Sequence, residues 1–336
     1  MTTSSRRNGR AQPTDPAALG LAVVPRKAAP GAPAATHVRV KLDHELRKLL
    51  AREAGTRTGT DPEDLHQMRV ALRRMRSVLK TSGPLLGPDG EQVRGELGWL
   101  GQSLGEVRDY DVLIGHLREV VRTFEVRDQP AGRRLVSLFV AERGTARRRL
   151  TRALSDARYT TLLHEIAQLT HVPEHENTAD PAGRTGPIAD LRKPYRKLAK
   201  AVRALPADPP DDDLHALRIH GKKLRYTAEL ARSTAKKKDA AKFTELIKAT
   251  RKFQTVLGDH QDAVVAAEKV RAALGKADAE VGFVAGRIAE HELAKRAEAR
   301  AAWPKLWARI QKAADAVGAI KATTKPDTTA SRRRGC

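Results

Sequence analysis

The chain has 336 residues, of which 40% are hydrophobic and only 4% aromatic. It carries 63 Lys and Arg against 40 Asp and Glu, a formal net charge of +23, and its single cysteine is Cys336. No run of about 18 uncharged apolar residues occurs, which argues against a transmembrane helix, and one cysteine excludes an intramolecular disulfide. We therefore expect a cytoplasmic protein without a secretory signal.

The excess positive charge lies mainly outside the two ends of the chain. Residues 1–35 and 318–336 each carry +4 of the total +23, so +15 remains on the rest. Both end segments have low-complexity composition, and we interpret them as a disordered basic arm and a disordered tail. A basic body favours a polyanionic partner, such as nucleic acid, an anionic membrane or polyphosphate, although a generally basic composition would give the same charge.

The apolar residues recur with helical periodicity along nearly the whole body, which predicts an all-α fold. In the first half, helices are predicted near 36–54, 61–80, 90–105, 108–126, 131–155 and 157–170. Residues 171–187 contain three prolines and no apolar rhythm, so we expect a linker there. In the second half, helices are predicted near 188–205, 212–233, 239–257, 261–274, 277–300 and 303–315.

An internal repeat organises these helices. Residues 64–76 and 213–225 align without a gap, 149 positions apart, and keep charge and apolar character at nearly every place. A second match follows each copy, LGEVRD at 104–109 and LGDHQD at 257–262. Two matches in the same order predict a duplication. The expected bundles are residues 36–170 and residues 188–317.

The repeated helix carries a row of cations beside its apolar seam. In the first copy the seam steps by three and four residues, at Leu65, Met68, Leu72, Met75 and Leu79. A second row, about 100° round the helix, consists of His66, Arg69, Arg73, Arg76 and Lys80. The second copy repeats the row as His215, Arg218, Lys222 and Arg225. Arg74 and Lys223 add charge next to the two rows.

No acidic residue interrupts either row: Asp and Glu are absent between residues 65 and 88 and between 214 and 228. Each pair of like charges at i,i+4 destabilises a helix by about 0.2–0.5 kcal/mol. Acids on neighbouring helices, with Asp109, Asp111 and Asp262 as candidates, would neutralise part of the charge. We favour an external polyanion as the main compensation.

The spacing of the row suits a phosphate chain. Successive cations rise about 4.5–6 Å along the helix axis, so an extended polyphosphate would meet them in turn. No recognition-helix, zinc-finger or RNA-recognition signature appears, and twelve aromatic residues offer little base stacking. Nonspecific binding of nucleic acid through its backbone is the alternative partner interaction, and no membrane partner is expected.

These motifs resemble the CHAD domain (conserved histidine α-helical domain). The resemblance rests on HxxRxxxRxxR at residues 66–76 with LG and RDxDV after it, and on HxxRxxxKKLRYxxE at 215–229 with LGxxxD after it. It covers roughly residues 36–315. It implies two four-helix bundles related by a pseudo-twofold axis, with a basic groove between them.

The same resemblance implies binding of inorganic polyphosphate, association with polyphosphate granules and no enzymatic activity. It assigns ligand contacts to His66, Arg69, Arg73, Arg76, His215, Arg218, Lys222, Lys223 and Arg225. Tyr226 is also in the motif, although it could serve packing instead. We add Arg74, Lys80 and Arg108 as candidate contacts, with an ion pair that ties helices together as the alternative role of Arg108. In the second LG motif Gln261 stands where the first has Arg108, which puts symmetric use of that position in doubt.

We expect no cofactor, catalytic residue or metal site. The neighbours of His66 and His215 are cations, which disfavour a metal, and the His171-x-x-x-His175 spacing lies in the expected linker. A polyphosphate phosphohydrolase is the enzymatic alternative. It would require four acids to converge on a metal ion: Asp109, Asp111, Asp259 and Asp262.

Overall fold

A computed structural model describes residues 14–25, 27–28, 32–171, 187–234, 237–276 and 278–318. These residues form nine α-helices and three short 3-10 turns, with no β-strand among them, so the predicted all-α class is confirmed. The chain divides into two compact units, Met1–Pro181 (unit 1) and Ala182–Cys336 (unit 2). None of the described helices is both long and apolar enough to cross a membrane.

The described part of unit 1 contains one helix more than the four-helix bundle that the resemblance implies. Its helices are α1 (Ala34–Thr58), α2 (Pro62–Ser82), α3 (Asp89–Arg122), α4 (Gln129–Ser155) and α5 (Ala157–Thr170). The break before α5 lies at Asp156, whose backbone is extended and whose side chain accepts a hydrogen bond from the N–H of Arg158. This N-cap starts a new helix where α4 ends.

Capping interactions end α1 and begin α2. α1 ends at Gly59, which has a left-handed φ of 69° and donates its N–H to the carbonyl of Gly55 at 2.7 Å. The carboxylate of Asp61 then accepts the N–H of Glu63 at 2.8 Å, with Pro62 at the first helical position. The two helices can therefore pack side by side.

The predicted seam of α2 lies in the core of unit 1. All five of its apolar side chains are at most 2% exposed, and they pack against leucines of α1 and α3. Burying each such side chain stabilises the fold by about 1.5–3 kcal/mol. In unit 2, the matching positions Leu214, Leu217 and Leu224 are completely buried.

The described residues of unit 2 form four helices: α6 (Pro187–Arg203), α7 (Asp211–Thr234), α8 (Lys237–Ala273) and α9 (Ala279–Ala316). Its core joins apolar side chains of all four, including Phe253 from α8 and Ile310 from α9. The ring of Tyr195 on α6 stacks on Trp307 of α9 with centroids 5.9 Å apart.

Three predicted helix breaks are wrong. α3 runs through the LG motif at 104–109, α8 runs through the matching motif at 257–262, and α9 continues past Pro304. Leu104 and Leu257 in the motifs are buried. Their packing outweighs the weak helix propensity of the glycine that follows each of them.

The expectation that residues 1–35 form a disordered arm does not hold for residues 14–25. Pro16–Leu19 form a 3-10 turn, and Leu19 and Leu21 are buried in the core of unit 1. The backbone N–H of Thr14 donates to Glu53 at 3.0 Å. The described residues do not include residues 1–13 of the arm, positions 172–186 of the linker or the tail after Gly318.

Candidate functional site

The helix α2 carries the predicted row of unit 1 at the edge of the core. His66 and Arg69 are half-buried, whereas Arg73, Arg76 and Lys80 are exposed. This arrangement agrees with a position about 100° from the buried seam. The exposed end of the row offers two guanidinium groups and one ammonium group to a ligand.

The next helix, α3, presents a glycine face to this row. Gly98, Gly101 and Gly105 step by three and four residues and therefore share one side of α3. A Cβ on Gly105 would lie 3.8 Å from Cζ of Arg69, and a Cβ on Gly98 would lie 3.5 Å from Nη2 of Arg76. Because glycine has no side chain, both guanidinium groups lie directly against the α3 backbone.

Two cations near the row have carboxylate neighbours. Nη1 of Arg69 lies 3.6 Å from Oδ1 of Asp109, a largely exposed side chain on α3. Nη1 of Arg74 lies 3.6 Å from Oε1 of Glu45, a buried acid on α1 that also pairs with Lys48 at 3.3 Å. Both arginine pairs exceed hydrogen-bonding distance, so they neutralise the row only partly.

The remaining cations of the row are uncompensated within unit 1. Arg73, Arg76 and Lys80 form no ion pair with any described residue. Arg108 is half-buried and also forms none. It follows Gly105 by three residues and so lies on the face of α3 that meets the row. Its binding of a ligand together with the α2 row stays a prediction.

Asp111 does not neutralise the row, so that candidate partner is wrong. Nε of Arg143 on α4 donates a hydrogen bond to Oδ1 of Asp111, whose side chain is 7% exposed. Asp111 follows Asp109 by two residues, which turns it about 200° round α3 toward α4. Its carboxylate ties α3 to α4.

In unit 2, α7 carries the equivalent row. His215, Arg218, Lys222 and Arg225 are all half-buried, and Lys223 is exposed. The row of unit 2 is therefore more covered by its own unit than the exposed end of the α2 row is.

The helix α8 contacts the first two members of this row. Nδ1 of His215 and Oε1 of Gln261 are 2.8 Å apart, a hydrogen bond in which the protonated ring nitrogen donates to the amide oxygen. A Cβ on Gly258 would lie 3.4 Å from both Nε and Nη2 of Arg218. Gly258 therefore lets Arg218 lie against the α8 backbone, as Gly105 lets Arg69 lie against the α3 backbone.

The two arginines of the α7 row differ in their compensation. Arg218 forms no ion pair with a described residue, and its buried Nε has no hydrogen-bond partner among them. Arg225 lies 3.8 Å from Oε1 of Glu229, and its Cζ lies 4.8 Å from the ring centre of Tyr226. Tyr226 is 47% exposed, so its ring lies at the surface beside the row and not in the core.

A cluster around Asp211 fastens the start of α7 to α8 and α9. Its carboxylate accepts hydrogen bonds from Nε of Arg296 at 2.9 and 3.0 Å and from Nη1 of Arg300 at 2.7 Å. Burial works to raise the pKa of the Asp211 carboxyl. The hydrogen bond and charge of Arg296, together with the charge of Arg300, outweigh burial, so the pKa is lowered.

Buried His260 belongs to the same cluster and immediately precedes Gln261. Its Nε2 lies 3.1 Å from Oδ1 of Asp211. Burial lowers the pKa of His260, the attraction of Asp211 opposes that shift without reversing it, and the ring is neutral near pH 7. The cluster therefore fixes the part of α8 that holds His215.

On its other flank, α7 meets cations of α6. Burial lowers the pKa of His220, and the charges of Lys223 on α7 and Lys197 on α6 lower it further. The two helices pack against each other, which brings cations of both near this ring. Positive charge therefore continues from α7 onto α6.

The arrangement supplies cations and hydrogen-bond donors, the groups that bind oxyanions. In the described ranges, no three His, Cys, Asp or Glu side chains are grouped as a metal ion would require. His171 ends α5, and the second histidine of that spacing lies outside the described residues.

Sequence reasoning missed the glycine face and the role of Glu45. The glycine face has a sequence signal, since glycines at i, i+3 and i+7 within an apolar helical run mark a close approach. Glu45 has none, because its contact with Arg74 joins residues far apart in the chain. The periodicity also could not predict the hydrogen bond between His215 and Gln261.

Comparison with known proteins supplies a family. A family model described as the CHAD domain matches residues 41–271. Uncharacterized proteins of two strains of Mycobacterium tuberculosis, CDC 1551 / Oshkosh and ATCC 25618 / H37Rv, are each 29% identical over 300 residues and cover 84% of this chain. The chain spans about half the length of these relatives, 55% of each.

Two solved structures share the fold. The crystal structure of the CHAD domain from the plant Ricinus communis is 24% identical, with a TM-score of 0.64 over 85% of this chain and 94% of that one. PptA from Streptomyces chartreusis is 20% identical, with a TM-score of 0.59 over 82% of this chain and 100% of that one.

Proposed function

Because the chain belongs to the CHAD domain family, we propose that it binds inorganic polyphosphate through the rows of α2 and α7. The observation that carries the proposal is the exposed end of the α2 row. There Arg73, Arg76 and Lys80 lie along one line and form no ion pair within the described part of the chain. An unpaired row of like charge destabilises its helix, and an anionic ligand relieves that repulsion.

The spacing favours a linear ligand. Row members three or four residues apart are separated by about 4.5–6 Å along the helix axis. A chain of phosphates presents oxygen acceptors and negative charge along its whole length. Arginine forks bind two phosphate oxygens at once, while lysine adds a compact point charge. Arg108 and Tyr226, which flank the two rows, complete the proposed contact set.

The proposed role is binding without cleavage. Phosphoryl transfer usually relies on Mg²⁺ held by carboxylates. The acids near the α2 row are occupied otherwise: Asp109 lies beside Arg69, and Asp111 accepts a hydrogen bond from Arg143. Binding of this kind would recruit the protein to polyphosphate granules in the cytoplasm.

Calorimetric titration with long-chain polyphosphate at near-physiological salt tests the proposal. We expect tight binding that excess duplex DNA and RNA do not displace. The variant with four row cations replaced should lose affinity by at least about a hundredfold, since several charge-assisted contacts disappear together. Its substitutions are Arg73→Ala, Arg76→Ala, Lys222→Ala and Arg225→Ala.

A matched control removes four exposed cations away from the rows: Arg118→Ala, Arg133→Ala, Lys305→Ala and Arg309→Ala. It lowers the net charge equally, so its affinity should fall only slightly. An equal loss in both variants, or equal binding of all three polyanions, would replace the proposal by nonspecific electrostatic attraction. Release of orthophosphate in the presence of Mg²⁺ would instead support the phosphohydrolase.

A further inference from the structure

The helix α6 has a cationic face whose back is buried. Leu191, Tyr195, Leu198 and Ala199 point into the core of unit 2, and each is at most 7% exposed. The opposite side of α6 carries five exposed cations at helical spacing. They are Lys193, Arg196, Lys197, Lys200 and Arg203.

This face has no internal compensation. No acidic residue occurs between Asp190 and Asp208 in the sequence. None of the five exposed cations forms an ion pair with a described residue. A solvated helix face normally mixes charge signs, because opposite charges at i,i+4 stabilise it and like charges destabilise it. The α6 face therefore has the same unusual property as the rows.

The α6 face is continuous with the charge on α7. The helix α6 packs directly against α7. In agreement with this packing, Lys197 on α6 and Lys223 on α7 both lower the pKa of His220. Since Lys223 adjoins the α7 row, a chain bound along that row can continue across Lys223 to Lys197.

The burial pattern favours a phosphate chain over other polyanionic surfaces. An amphipathic helix that binds lipid inserts its apolar side, but the apolar side of α6 is occupied by the core. The aromatic residue of α6, Tyr195, is buried against Trp307 and offers no ring to a nucleobase. What α6 presents to solvent is a line of positive charge.

We propose that the exposed cations of α6 form a second phosphate-chain-binding face of unit 2, continuous with the α7 row through Lys223 and Lys197. This inference rests on the proposed polyphosphate binding and adds residues to it. A chain that spans both helices engages more cations than one that covers α7 alone. Affinity should therefore depend on chain length, and only long chains should depend on α6.

The test compares two triple variants of the full chain. The α6 variant carries Arg196→Gln, Lys200→Gln and Arg203→Gln; the control carries Lys305→Gln, Arg309→Gln and Lys312→Gln on the exposed side of α9. Both lose three exposed cations of unit 2 and keep good helix formers. Circular dichroism confirms that both fold. Affinities for long-chain polyphosphate and for tripolyphosphate are measured at several salt concentrations.

We expect the α6 variant to bind long-chain polyphosphate roughly tenfold more weakly, with a shallower salt dependence, and to bind tripolyphosphate as the wild type does. The control should change by less than about twofold for either ligand. Unchanged long-chain affinity in the α6 variant would overturn this inference while leaving binding by the rows intact. Equal losses in both variants would also overturn it. Absence of wild-type binding would overturn the proposed function as well.

Discussion

The first helices of the two units handle positive charge differently. In α1, the acid Asp43 accepts a hydrogen bond from Arg47 at 2.9 Å, and the buried carboxylate of Glu53 pairs with Arg57 at 2.7 Å. In α6, no exposed cation forms an ion pair with a described residue. The second helix of each unit, α2 or α7, shows the same difference. Arg69 on α2 has Asp109 beside it, whereas Arg218 on α7 forms no ion pair with a described residue.

This difference indicates how the two units respond to an anion. Unit 1 neutralises part of its surface with its own acids, so a bound polyanion must compete with them. In unit 2 the carboxylate of Asp211 pairs with Arg296 and Arg300 at the start of α7, whereas Arg218 and the exposed cations of α6 form no ion pair with a described residue. We therefore expect unit 2 to gain more stability from a polyanion than unit 1.

The largest effect should follow from breaking the acid cluster of unit 2. Asp211→Asn removes the carboxylate that pairs with Arg296 and one of the two that pair with Arg300, the other being Asp208. The half-buried guanidinium group of Arg296 is then left without an ion pair among the described residues. We expect the free energy of unfolding to fall by about 2–3 kcal/mol. Urea denaturation at neutral pH measures it. The matched control Asp208→Asn, at a 93% exposed side chain, should change it by less than about 1 kcal/mol.

A smaller effect should distinguish the two matching arginines. Arg218→Ala should weaken polyphosphate binding by about tenfold, and Arg69→Ala by about threefold, because Asp109 already offsets part of the Arg69 charge. Asp109→Asn should tighten binding by about twofold. Titration of the three variants measures these changes. An equal loss at both arginines, with no gain from Asp109→Asn, would contradict the contrast between the units.

The glycines that support these arginines give the next prediction. Gly258→Leu places a bulky side chain where Arg218 lies, and Gly105→Leu does the same to Arg69. Displacing the guanidinium should weaken binding by about fivefold at Gly258 and less at Gly105. The alanine variants are controls, because a single Cβ at 3.4–3.8 Å makes an ordinary contact and alanine favours the helix. If leucine and alanine behaved alike, the backbone contact would not position the cation.

The smallest effect should be a pH dependence peculiar to unit 2. Burial lowers the pKa of His260 below 6.5, so the unfolded chain takes up the proton at a higher pH than the folded one. Stability should therefore fall as pH drops below about 6.5, down to the folded pKa. His260→Val, which copies Val107 at the matching position of unit 1, should reduce this fall. Urea denaturation at about pH 7.5 and about pH 5.5 measures it.

His220 contributes to the same pH dependence, so replacing His260 should remove only part of it. Its pKa is also lowered, by burial and by Lys223 and Lys197, so it contributes a loss of the same sign. Some pH dependence should therefore remain in His260→Val. A pH profile identical to that of the wild type would show that His260 does not carry the effect.

Periodicity predicted the elements that depend on local spacing. The seam from Leu65 to Leu79 is buried and the row beside it lies at the border of the core, because a helix of 3.6 residues per turn fixes both positions. The groove between the bundles and their pseudo-twofold relation stay predictions.

Contacts between distant residues could not be predicted in the same way. Breaks were predicted between residues 105 and 108 and between residues 300 and 303, yet packing against neighbouring helices keeps α3 and α9 continuous. The partner of Arg74 proved to be Glu45 on another helix, and Leu19 proved to pack into the core from a low-complexity segment. Such contacts depend on how helices meet in space.

The contact of Arg69 with Gly105, and of Arg218 with Gly258, also bears on the entropy of binding. A free arginine side chain samples many rotamers, and immobilising one on a ligand costs about 0.5–1.5 kcal/mol. An arginine that already lies along a helix backbone has fewer conformations to lose. Gly105 and Gly258 therefore reduce the entropic cost of binding a phosphate chain at Arg69 and Arg218.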